Sequence, residues 1–218
     1  MKIEWAAAAL AAALLTGCAG VTSGVGAAGQ AGAFASGAHG YGFARTDAQA
    51  DNAEYKQIEA LVHDELARRG FDAQPLKDAP YRLSIAYATQ PAAVAVATDA
   101  CGDAKGETSA KGENGENGEK GACTGVDGPA PFLSFFGKVY RHTLTLRFVD
   151  AKTNAQAYRV SAALQDREPG SLEAAPALVK SALAKLPFDA GGRWLVKTKK
   201  DDAGGMPGVV SVKPADAR

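Results

Sequence analysis

Three segments of this chain alternate between apolar and polar residues, and that period of two restricts the fold more than any other feature. Tyr81, Leu83, Ile85 and Tyr87 alternate with Arg82, Ser84, Ala86 and Ala88. Tyr140, His142, Leu144, Leu146 and Phe148 alternate with Arg141, Thr143, Thr145 and Arg147, and Tyr158, Val160, Ala162 and Leu164 with Arg159, Ser161 and Ala163. Successive strand side chains point to opposite faces, so each segment is a strand with one face toward a core and one toward water. Asp150-Ala-Lys-Thr-Asn154 between the last two reads as a hairpin turn. Tyr41-Gly-Phe43 is a short strand, and residues 92–98 extend the 81–87 strand or pair beside it.

Two further segments follow the helical period. Asp51 and Glu54 have the spacing of a capping box with Asp in place of Ser or Thr. Ile58, Leu61, Val62 and Leu66 then share a face with Tyr55 beside them. Arg68 and Arg69 complement the dipole of the last turn, and Gly70 is placed to end the helix. The second stripe is Leu178, Val179, Ala182, Leu183 and Leu186, with Pro176 in the first turn and Pro187 as its stop. The order of elements predicts an α+β fold: a mostly antiparallel sheet with two helices packed on one face. Residues 40–198 form this single domain, interrupted at 99–130. The remaining folded part, about 125 residues, is enough for one core. Lys+Arg and Asp+Glu both number 24 among 218 residues, a balance that argues against nucleic acid as a partner.

At the N-terminus, Lys2 precedes an unbroken apolar run over residues 6–15. Such a run, ~15 Å as a helix, reaches about half of a bilayer core, which suits a signal-peptide core and not a span. It ends in Leu15-Thr16-Gly17-Cys18, which resembles the bacterial lipobox, where the peptide is cut before a cysteine whose thiol is acylated. Glu4 departs from the usual positive start by offsetting Lys2. The resemblance implies a signal peptide at 1–17, lipidation at Cys18, and membrane association through N-terminal acyl chains, which together hold a protein where one alone is marginal. Ala19, where Asp would retain a lipoprotein at the inner membrane, implies the outer membrane. Residues 19–38 carry no charge and are rich in Gly and Ala, so 18–39 is expected to be a flexible tether reaching ~25 Å.

With Cys18 lipidated, Cys101 and Cys123 remain as a pair in an oxidising compartment, and a disulfide between them is expected. It would contribute about 3 kcal/mol by loop closure. A metal or redox pair is the alternative, against which stand the spacing and the lack of nearby histidines. The segment 99–130 holds almost no apolar residues. Gly112, Gly115, Gly118 and Gly121 recur every third position without proline, so no triple helix forms. Asp99, Asp103, Glu107, Glu113, Glu116, Glu119 and Asp127 outnumber Lys105, Lys111 and Lys120. A solvated, disordered insertion is expected; calcium binding is the alternative, without the EF-hand pattern.

His39, His63 and His142 have no metal-ligand neighbour at i+3 or i+4, and no nucleophile motif is present. No catalytic residue, metal or cofactor is expected. His63 beside Asp64 reads as solvated, and His142, on the apolar parity of its strand, as a hydrogen-bonded core or rim residue. The opposite parity carries Arg82, Arg141, Arg147 and Arg159, and guanidiniums pair bidentately with phosphate and carboxylate. This face is the candidate site for an anionic glycan or lipid or for an acidic envelope protein; the alternative is a solvated face, covered by the acidic insertion itself. Phe132, Phe135 and Phe136, with Leu133, either close the core or dock a protein. Arg193, Lys197, Lys199 and Lys200 read as a solvated end, and 199–218 as a flexible tail.

The helix ending Leu66-Ala-Arg-Arg-Gly-Phe71, the 81–87 strand, the 144–150 strand followed by Tyr158-Arg159, and the 183–188 segment together resemble a bacterial lipoprotein family carrying the domain of unknown function 4136. Tyr158 stands where an indole is usual there, and the insertion at 99–130 is a second departure. The resemblance implies a lipid-anchored, periplasm-facing envelope protein and transfers no catalytic residue. The expected function is a non-catalytic envelope lipoprotein that binds or scaffolds a partner through its arginine face. The alternative is an accessory subunit of an envelope lipid or glycan transport system.

Overall fold

The three alternating segments are the centre of the fold. In the computed structural model, which describes residues 20–29, 34, 39–92, 129, 137–201 and 204–215, β4 (Tyr81–Pro91), β5 (Tyr140–Asp150) and β6 (Gln156–Asp166) pair antiparallel. Leu83 lies opposite Phe148 and Ile85 opposite Leu146, which in turn faces Val160, so the apolar parities coincide on one face. The other strands are β1 (Val21–Gly29), β2 (Gly40–Phe43), β3 (Asp72–Ala73), β7 (Arg193–Lys199) and β8 (Gly208–Pro214). Together they make one sheet of order β3-β2-β4-β5-β6-β1-β7-β8.

The sheet is mixed, and the expectation of a mostly antiparallel one is corrected. β2 runs parallel to both β3 and β4. The physical reason lies in the connection: neighbouring strands joined through a helix can run the same way, whereas hairpins force reversal. The described residues hold three helices where two were expected: α1 (Asp47–Asp51), α2 (Ala53–Ala67) and α3 (Ser171–Ala182). The capping box belongs to α1, where Thr46 Oγ1 accepts from Gln49 N and Gln49 Oε1 accepts from Thr46 N. Asn52, not Asp51, caps α2, its Oδ1 accepting from Tyr55 N at 2.9 Å. Gly70, at φ +78°, takes the left-handed turn that ends this helical region.

Two composition-based expectations are corrected. The uncharged stretch expected to be a tether contains β1, an interior strand paired with β6 on one side and β7 on the other. Val25 and Ala27 are buried in the core, and Phe34, also expected in the tether, is 6% exposed. Glycine and alanine suggested coil, but a strand paired on each side satisfies the β1 backbone whatever its side chains. The expected C-terminal tail contains β8, paired along its length with β7. Lys197 and Lys199, assigned to a solvated end, belong to β7.

α3 packs across β1, β5, β6 and β7, burying Ala174, Ala175, Leu178, Val179 and Ala182. α2 lies against α3 and adds Tyr55, Ile58, Val62 and Leu66 to the same core. A buried ionic contact joins the helices. Lys180 Nζ lies 3.1 and 3.0 Å from the two Glu65 carboxylate oxygens, with Arg69 at 2.7 Å and Arg68 at 3.2 Å. Burial pushes the Glu65 carboxyl up, but the Lys180 hydrogen bond and the charge of Arg69 outweigh it and hold the group below its ordinary value. Phe34 meets Phe71, Tyr81, Phe148 and Tyr158 edge-on, at centroid distances of 5.2, 5.3, 5.1 and 5.6 Å.

Candidate anion-binding face

The parity that sends Leu146 and Val160 into the core sends arginines to the other side. Arg147 on β5 lies directly opposite Arg159 on β6, and Ser84 on β4 faces Arg147 from its other flank. Arg147 is exposed and Arg159 half-buried. The next row holds Thr145 and Ser161, whose hydroxyls are 2.9 Å apart. Beyond β6 the face continues over Ala28 and Gly26 of β1, opposite Arg159 and Ser161 respectively, to Arg193 of β7, opposite Gly26. These two small residues raise almost no side chain between Arg159 and Arg193, which stand two strands across and two residues along, roughly 12 Å apart. Among the described residues of this face on β1, β4, β5, β6 and β7 there is no carboxylate.

All four arginines expected on the open parity are on it, but they do not form one site. Arg147 and Arg159 are brought together. Arg82 lies nearby and is committed to the β5–β6 turn, donating to Asn154 Oδ1 at 3.0 Å and to the Ala151 carbonyl at 3.2 Å. That turn is also tied by Asp150, whose Oδ1 accepts from Lys152 N, Thr153 N and Thr153 Oγ1. Arg141 sits opposite Gln90 and Gln165, six residues along β5 from Arg147 and so ~20 Å away. Arg193, assigned to a solvated end, takes its place instead. Its sequence signal was the alternation of Trp194, Val196 and Thr198 with Leu195 and Lys197.

Directly opposed like charges on a sheet face are unfavourable, and guanidinium forks aimed at a shared space can hold a phosphate or carboxylate bidentately. The Arg147–Arg159 pair and the adjacent hydroxyl row present guanidinium and hydroxyl donors, groups that can bind phosphate or carboxylate.

The histidines make no comparable arrangement. His142 is fully buried. Its Nε2 lies 3.0 Å from both Asp166 Oδ1 and the Glu168 carbonyl, two acceptors, so this nitrogen carries a proton. Its Nδ1 faces Thr89 Oγ1 at 2.9 Å and the Tyr87 hydroxyl at 3.2 Å. Burial pushes the Tyr87 phenol up to about 12. This is a satisfied core histidine, as its parity implied. His63 is exposed beside Asp64, and the His39 ring lies 4.9 Å from that of Phe71. Among the described residues no group of three or more His, Cys, Asp or Glu could hold a metal ion, and no helix is long and apolar enough to cross a membrane. Cys18, the Cys101–Cys123 pair and the Phe132, Phe135 and Phe136 patch lie outside the described residues, as do the signal peptide and nearly all of the insertion.

The family model described as a domain of unknown function (DUF4136) matches residues 29–188. No curated protein matches the sequence. Among solved structures, a PDZ domain protein from Parabacteroides distasonis is similar over 90% of this chain at 12% identity and a TM-score of 0.48. This chain spans 43% of that protein's length. A PelC dodecamer from Paraburkholderia phytofirmans is similar over 74% of this chain and 95% of its own, at 14% identity and a TM-score of 0.36.

Proposed function

From the premise that the chain belongs to the DUF4136 family, we propose that it is a non-catalytic envelope lipoprotein. It is anchored by acyl chains at Cys18 in the outer membrane, faces the periplasm, and binds an anionic partner through its open sheet face. The observation that carries this reading is the direct opposition of Arg147 and Arg159 on a face whose described strand residues include no carboxylate. A phosphorylated glycolipid, the carboxylates of peptidoglycan and an acidic protein surface share the chemistry that such a pair recognises.

The test is photo-crosslinking in intact cells from position 84, which faces Arg147 across the sheet, with position 135 probing the phenylalanine patch, followed by mass spectrometry. A dominant anionic partner captured from 84, and lost in the Arg147→Glu/Arg159→Glu double variant while the fold is retained, supports the reading. Capture of a lipid or glycan transport component would instead place the chain as an accessory subunit of such a machine. Capture unchanged in the double variant would refute the arginine face as the site.

A further inference from the structure

We propose that the corner of the sheet where β1 begins, β7 ends and β8 begins is a membrane-contact surface that docks on anionic phospholipid headgroups. The proposal adds a protein–lipid contact to the acyl anchor and rests on that anchor only for its orientation.

Three of the four large hydrophobic residues exposed among those described gather at this corner: Val21 at 44%, Val209 at 38% and Val210 at 57%. Val21 and Val209 flank Thr198 in one row across three strands. The fourth, Leu76, packs beside Gly42 of β2, six strands away across the sheet. Lys199 lies opposite Gly208, and Lys197 opposite Thr22 and Ser211; Lys199 and Lys200 are exposed. Asp201 and Asp202 follow them in the sequence, while Asp166 ends β6 and Glu168 comes just after it, two strands from β7. Val21 and Val209 share the face of Thr198, and Lys197 and Lys199 project from the opposite face of the same strand ends. The corner therefore meets a headgroup layer edge-on, the valines entering the interface on one side and the ammonium groups meeting phosphates on the other.

The chain path gives an independent reason. A Cβ on Gly20 would stand 2.6 Å from the Thr198 carbonyl oxygen and 2.9 Å from the Lys197 side chain. The backbone is therefore pressed against the end of β7 just two residues after Cys18, a distance of at most ~7 Å. An acylated Cys18 holds this corner, and not the arginine pair nearer the opposite end of the strands, against the bilayer. The acidic insertion leaves from β4 and returns to β5, three strands or more from β7 and β8 at roughly 5 Å per strand.

The experiment uses the full chain as processed and acylated in cells, reconstituted into vesicles of phosphatidylcholine with or without phosphatidylglycerol. One variant carries Val210→Trp and a control carries Leu76→Trp, both over the common background of Trp194. Lipids brominated in the acyl chain quench a tryptophan that reaches the interface. Quenching at 210 and not at 76, with phosphatidylglycerol present, is the expected result. It should be lost on Lys197→Glu/Lys199→Glu/Lys200→Glu, and also on the exposed pair Lys199→Glu/Lys200→Glu, while the chain still sediments with the vesicles. No quenching at 210, or quenching untouched by either charge reversal, overturns the proposal and leaves the anchor standing. The mass of the processed chain reports acylation separately. Should acylation be absent, the corner predicts capture by phosphatidylglycerol vesicles alone, weakened roughly fivefold per lysine and at least about a hundredfold in the triple variant. Equal capture of both proteins would overturn it.

Discussion

Replacing Phe34 by alanine separates a docked N-terminal segment from a tether. The ring is 6% exposed and meets four aromatic neighbours edge-on at 5.1–5.6 Å. Burying roughly 200 Å² of ring at about 25 cal/mol per Å² sets a ceiling near 5 kcal/mol. Core Phe→Ala substitutions cost about 3–5 kcal/mol. In a chain of this size that is a fall of roughly 6–20 °C in Tm, read by far-UV circular dichroism on the purified chain and checked by the midpoint in urea. A residue in a solvated tether would change stability by no more than about 0.5 kcal/mol. The backbone supplies an internal control. Phe34 has φ +69°, a conformation glycine adopts without the penalty alanine meets. Phe34→Gly should therefore be more stable than Phe34→Ala by about 1 kcal/mol, the reverse of their order in a helix. A loss below about 1 kcal/mol for alanine would refute the packing argument, and alanine more stable than glycine would refute the backbone argument.

Glu65→Gln leaves Lys180 and Arg69 without their carboxylate partner and should cost about 3–5 kcal/mol in denaturant. Because the folded Glu65 carboxyl titrates below its unfolded value, its stabilisation is complete above about pH 4.3 and is lost as pH falls through the folded value, so the gap between wild type and variant narrows in acid. Tyr158→Phe removes the hydroxyl oxygen that accepts from the buried Phe188 N at 2.9 Å and should cost about 1–3 kcal/mol. Burial raises the phenols of Tyr41, Tyr87 and Tyr158 to about 12. Their contribution to stability is complete below the unfolded value, about 10, and is lost as pH rises toward 12. At about pH 11 phenolate absorbance should show at least about two fewer ionised tyrosines in the native chain than in denaturant. Arg147→Glu places opposite charges across the β5–β6 ladder and should raise stability by about 0.2–1 kcal/mol while abolishing anion capture.

The core strands were legible because period-two alternation is written in residue type. β4, β5 and β6 carry large apolar residues on one parity and arginine, threonine or serine on the other, so both the strands and the arginine-bearing parity could be read directly. The same rule assigned His142 to the buried side. β1 was not legible, because glycine and alanine at positions 24, 26, 27 and 28 erase the contrast between faces on which the pattern depends. β7 and β8 were overlooked because Arg193, Lys197, Lys199 and Lys200 looked like a solvated end and 199–218 like a flexible tail, although Trp194, Val196 and Val212 keep the alternation. The parallel pairing of β2 with β4 was not read from the sequence, because the helices between them permit parallel neighbours without requiring them.

Local sequence thus determined that the 81–87, 140–148 and 158–164 segments become strands, and that the 55–66 stripe and the 178–182 part of the second stripe lie on helices. It also determined which side of those three strands faces the core, since side-chain direction alternates with position along a strand. The tertiary structure alone decided which strands become neighbours. Strand order is set by how the whole sheet and its helices bury apolar area, a choice that no single segment encodes. That choice put Arg147 beside Arg159, moved Arg141 ~20 Å along the strand from them, and replaced it with Arg193 across the glycine and alanine floor of β1. It also brought Val21 into line with Val209, residues nearly at opposite ends of the chain, because a strand between them needed two partners to satisfy its backbone.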